Sequence, residues 1–107
     1  AGDGLGISEE EARFMLHADI DRVEQEAKTW DIYHELDGIR QAVLLDMLFN
    51  MGLTRFNPDK WPKMFQALEE KDWTEVANQM LSSAWAGQVK SRSERLAKLM
   101  EHGVWVE

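Results

Sequence analysis

Three observations predict an all-α fold, a compact multi-helix bundle. Apolar residues recur at three- and four-residue spacing in several segments, capping residues and glycines punctuate those segments, and no period-two run of useful length competes with them. A further segment is apolar nearly all round, as suits a buried central helix. With 107 residues the chain holds one domain with one core, and 44% hydrophobic against 30% charged residues is a globular composition.

In chain order, Gly2, Gly4 and Gly6 make residues 1–7 a glycine-rich linker or loop remnant, and residues 8–107 form the helical domain. Ser8-Glu9-Glu10-Glu11 has the form of a capping box, and Ala12, Leu16, Ile20, Val23, Ala27 and Trp30 continue from it as one stripe. This predicts an amphipathic helix of about five turns. Asp37 is the N-cap and Gly52 the C-terminal glycine of the next helix. Ile39, Ala42 to Leu45, Met47 to Phe49 and Met51 cover nearly its whole circumference.

A loop through Asn57-Pro58 leads to a helix starting near Asp59, so that Pro62 falls in its first turn. Asp72-Trp73-Thr74-Glu75 opens the next, with Val76, Ala77, Met80, Leu81 and Trp85 inward and Gly87 past its end. Ser91-Arg92-Ser93-Glu94 opens the last, carried by Leu96, Leu99 and Met100 and stopped by Gly103. Only Val104-Trp105-Val106 is strand-like in composition.

Composition excludes several functions. There is no cysteine, hence no disulfide framework, thiolate metal site or thiol nucleophile. A net charge of −8 has the wrong sign for binding nucleic acid. No apolar run approaches the roughly 20 residues of a membrane span, and the first residues lack a signal-peptide layout. A soluble chain is expected. His17 and Asp21 have a spacing that could share a metal, but a solvated histidine on an acidic helix is the better reading, and no metal or cofactor is expected. Ser82-Ser83 has no histidine or lysine in a recognisable arrangement, so no nucleophile is assigned. Among the five tryptophans, Trp30, Trp61 and Trp73 fall on inner stripes and suit a core, whereas Trp85, at a helix end, suits a cleft.

Gly6-Ile7-Ser8-Glu9-Glu10-Glu11-Ala12, Tyr33-His34-Glu35-Leu36-Asp37-Gly38-Ile39-Arg40 and Leu48-Phe49-Asn50-Met51-Gly52 stand in sequence. Lys71-Asp72-Trp73, Trp85-Ala86-Gly87-Gln88, Arg92-Ser93-Glu94-Arg95 and Gly103-Val104-Trp105 follow. In order and spacing these segments resemble the C-terminal helical lobe of the phage-type lysozymes, the muramidases that hydrolyse peptidoglycan.

The resemblance implies one wall of a glycan-binding cleft, with Phe49, Asn50, Met51, Gln79, Trp85, Gln88 and Arg92 as substrate-binding residues. Phe49 and Met51 suit a core equally well, and Asn50 a helix cap. Arg92 and Arg95 correspond to arginines that in the family pair with acids at the start of an N-terminal lobe, and here they are expected to be orphans. The family's catalytic residues lie on that lobe, ahead of the matched region. None therefore carries over, and the chain is expected to bind peptidoglycan weakly and to be inactive without such a lobe. By the same resemblance it would act in the bacterial host's cytoplasm or periplasm. The alternative is a non-catalytic lysozyme-like module whose acidic surface engages a protein partner. An active enzyme with a relocated carboxylate is a third reading.

Overall fold

The structure, a computed structural model, describes residues 21–104. Among these, seven helices follow one another without a strand: α1 Asp21–Ala27, α2 Asp31–Glu35, α3 Gly38–Met51, α4 Pro62–Glu70, α5 Trp73–Leu81, α6 Ala84–Val89 and α7 Ser91–His102. The glycine-rich start, the Ser8 capping box, the stripe positions Ala12, Leu16 and Ile20, His17, and the strand-like Trp105-Val106 lie outside the described residues. None of the described helices is long and apolar enough to cross a membrane.

The predicted bundle is present, with α3 held as the sequence requires. Asp37 accepts a hydrogen bond from the Arg40 amide at 3.2 Å, and Gly52 leaves the helix at φ 82°, where a Cβ would be strained. Val43, Leu44, Met47 and Leu48 are fully buried, each burial stabilising by roughly 1.5–3 kcal/mol. The helix is not buried on all sides, however. Leu45, Phe49 and Met51 are half-buried and Ala42 is exposed. α3 packs on α1 and α7, α5 lies between α4 and α7, and α6 bridges α5 and α7. Trp30, Phe56 and Phe65 meet edge-on or tilted with centroids 5.1–5.8 Å apart, closing the core beneath the loop from 52 to 61.

Four boundaries differ from expectation. The first predicted helix ends at Ala27, and Trp30, instead of extending its stripe, is the N-cap of the separate α2. Periodicity continued across this break because a turn of three residues nearly preserves helical phase. α4 begins at Pro62, with Asn57 accepting from the Lys60 amide in the preceding turn. The segment with Trp85 divides in two: Ser83 caps α6 by accepting from the Ala86 amide at 3.2 Å, Gly87 lies within that helix, and Leu81 is exposed. The cap of α7 is Lys90, at φ 34°, rather than Ser91.

Candidate cleft and its arginine support

A cleft of about 500 Å³ opens between the end of α3, the start of α4, the end of α5 and α6, a volume that suits a small ligand or a short segment of polymer. Trp61 and Trp85 meet edge-to-face in its wall, their centroids 6.3 Å apart. Trp61 is fixed by its indole N–H, which donates to the Arg55 carbonyl at 3.1 Å. Trp85 is only 6% exposed, and its indole N–H is buried without an acceptor. The expected cleft tryptophan is thus also a packed one. Trp30, Trp61 and Trp73 are half-buried against the core rather than sealed inside it.

Met51, Gln79, Trp85 and Gln88, from three different helices, line this cleft together. The Gln79 amide donates to Glu75 at 2.6 Å, which leaves its carbonyl free to accept. Phe49, Asn50 and Arg92 are not in the lining. Phe49 packs half-buried on the core. Asn50 turns back along α3 and donates to both the backbone carbonyl and the carboxylate of Asp46 at 2.7 Å, so it acts within the helix rather than as its cap.

The expectation that Arg92 is an orphan is corrected. Its guanidinium lies 3.4 Å from the Asp46 carboxylate, and both side chains are largely buried. An acid in the middle of α3, in a segment read for its apolar residues, supplies the counter-charge. The fit is incomplete, because Arg92 Nε is buried and unpartnered. Burial pushes the Asp46 carboxyl above its ordinary range, against the opposing pull of Arg92 and of the Asn50 hydrogen bond. Arg95 is half-buried on α7, and no ion pair joins it to another described residue.

Sequence reasoning missed Arg55, Lys60, Trp61 and Lys63 as cleft residues. A signal was present: three cations within nine residues of an acidic chain, around a tryptophan that was assigned to the core. Among the described residues no group of His, Asp and Glu side chains is arranged to hold a metal.

The described residues form a helical bundle with a cleft walled by Trp61 and Trp85 and lined by Gln79 and Gln88, and comparison with known proteins shows the family to which the chain belongs. A family model for phage lysozyme matches residues 1–102, so the chain belongs to the phage lysozyme family. It is similar to "Probable T4-type lysozyme 2" of Dictyostelium discoideum, 32% identical over 105 residues that cover 94% of this chain and 61% of that protein. It is also similar to "Probable T4-type lysozyme 1" of the same organism, 34% identical over 98 residues covering 90% of this chain and 56% of the relative. The chain therefore spans between half and two thirds of the length of these relatives.

Proposed function

We propose that this chain forms one wall of the glycan-binding cleft of a peptidoglycan-cleaving lysozyme and supplies no catalytic acid of its own. The observation that carries the reading is the convergence of Met51, Gln79, Trp85 and Gln88 on one cleft in a member of the phage lysozyme family. Indole faces offer a sugar ring an apolar platform, and side-chain amides offer its hydroxyl and acetamido groups paired donors and acceptors. Phe49, Asn50 and Arg92 form the tier behind, Asn50 and Arg92 being tied together through Asp46. Arg95 is the residue proposed to meet an N-terminal lobe. Glycoside cleavage needs a positioned carboxylic acid facing a second carboxylate or an activated water. Among the described residues no acidic side chain lines this cleft, which favours binding without cleavage. Action on peptidoglycan fits a site in the bacterial host's cytoplasm or periplasm.

The test uses the purified 107-residue chain. It should bind soluble peptidoglycan fragments in calorimetry, Trp85→Ala should weaken that binding about tenfold or more, and cell-wall suspensions should keep their turbidity. Clearing of the suspension, abolished by a single Glu or Asp substitution in this chain, would overturn the inactive reading. The second reading, a module for a protein partner, draws on Arg92 being paired within the chain with Asp46 and on the net charge of −8. A chain that binds no peptidoglycan fragment would leave that reading standing.

A further inference from the structure

The charge on this molecule is segregated. The chain carries −8 overall, yet among the described residues its cleft is lined by Arg55, Lys60 and Lys63 and by no Asp or Glu. These cations are not spent on internal structure. Lys28, Arg40, Lys71 and Arg92 pair with Glu24, Asp37, Glu35 and Asp46, whereas no ion pair joins Arg55, Lys60 or Lys63 to another described residue. Asp59, in the same loop, stays outside the lining. Glu75, the acid that reaches a cleft residue, is occupied by the Gln79 amide at 2.6 Å.

A neutral sugar chain has no use for this cationic rim, but carboxylates do. At the edge of a cleft walled by Trp61 and Trp85, ammonium and guanidinium groups can make charge-assisted hydrogen bonds to an anion carried on the bound strand. Screening limits their reach to roughly 10 Å at ordinary salt, so the effect belongs to ligands seated in the cleft and not to the distant wall.

Resting on the glycan-cleft reading, we propose that Arg55, Lys60 and Lys63 make the cleft charge-selective. They favour glycan strands whose peptide stems carry free carboxylates over the same strands with those carboxylates amidated. The cations also offset, locally, the repulsion that the rest of this acidic chain exerts on an anionic polymer.

The experiment titrates the chain by calorimetry with four probes. These are a muropeptide fragment with free stem carboxylates, the same fragment amidated, a neutral N-acetylglucosamine oligomer, and a glycerol phosphate oligomer as a different anion. The free-carboxylate fragment should bind about tenfold tighter than the amidated one, as expected for exposed but cooperating charges, and the margin should shrink as salt is raised. In Arg55→Gln/Lys60→Gln/Lys63→Gln, affinity for the free-carboxylate fragment should fall to that for the amidated fragment. Equal binding of both fragments, or a preference that survives the triple substitution or added salt, would overturn the proposal while leaving the cleft reading intact. Tightest binding of the phosphate oligomer would overturn the assignment to carboxylates. Failure of both muropeptide fragments and of the neutral oligomer to bind would instead remove the cleft reading itself.

Discussion

The two ends of the α3–α7 pair are each joined by an arginine, and the joints differ. At the end remote from the cleft, Arg40 of α3 donates through Nε to the Met100 carbonyl at 2.6 Å and through Nη2 to the Glu101 carbonyl at 2.9 Å. It pairs with Asp37 at 3.0 Å and stacks 3.8 Å from the Trp73 ring centroid. A cation is thereby set on the carbonyl end of α7, where the helix dipole is negative. Gly103 lets the guanidinium this close, since a Cβ there would meet Arg40 Nη1 at 2.7 Å. At the other end, near Met51 and Gln88, Arg92 of α7 reaches Asp46 at 3.4 Å and leaves its Nε buried without a partner. The first joint is built for stability. The second gives up bonding completeness beside a cleft, the usual place for such a sacrifice.

The largest effect that would sharpen this contrast is on Arg40. Arg40→Ala removes two charge-assisted hydrogen bonds to carbonyls and the stacking on Trp73, and should destabilise the fold by about 3 to 5 kcal/mol. A denaturant midpoint that hardly moves would mean that the remote joint is no staple.

A smaller effect is expected at the cleft end. Arg92→Ala strips the counter-charge from a buried carboxylate through a contact that is long and imperfect, and should destabilise by about 2 kcal/mol at neutral pH. The paired change Arg92→Met with Asp46→Leu should recover most of that loss, because an apolar pair incurs no charge desolvation. If the double variant is less stable than Arg92→Ala, the joint contributes to stability as Arg40's does and the contrast fails.

Much of this arrangement was legible in the sequence, for reasons that also mark the limits. Asp37, Gly52, Pro62 and Gly103 announce helix ends because each supplies a backbone need met locally. Val76 and Leu96 announce the core through periodicity, and both are buried. The break at Thr29 escaped because Trp30 kept the apolar phase, and the break at Ser82-Ser83 because Trp85 did the same. Met51, Gln79, Trp85 and Gln88 were placed together by resemblance rather than by spacing. The Asp46–Arg92 and Arg40–Met100 contacts join residues 46 and 60 positions apart, and no local pattern encodes such a separation. The cationic rim was visible as a cluster, but only the fold shows that it faces the two tryptophans.

The smallest and most specific difference lies in acid, because the two joints titrate in opposite senses. Burial pushes the Asp37 carboxyl up, but hydrogen bonds from the Arg40 amide and guanidinium, with its charge, outweigh this and hold it below the ordinary 3.8. Its contribution is therefore present above 3.8 and is lost as pH falls through the lowered value. Asp46 is held above 3.8, chiefly by burial. Between 3.8 and its raised value the folded state binds more protons than the unfolded, so this carboxyl makes the protein more stable as pH falls through that window. Subtracting the stability of Asp46→Asn from that of the parent, pH by pH, should give a difference that grows as pH falls toward 3.8. The same subtraction with Asp37→Asn should give one that declines below 3.8. Two differences sloping the same way would show that the carboxylates share one environment, and that the arginines hold the two ends of the helix pair alike.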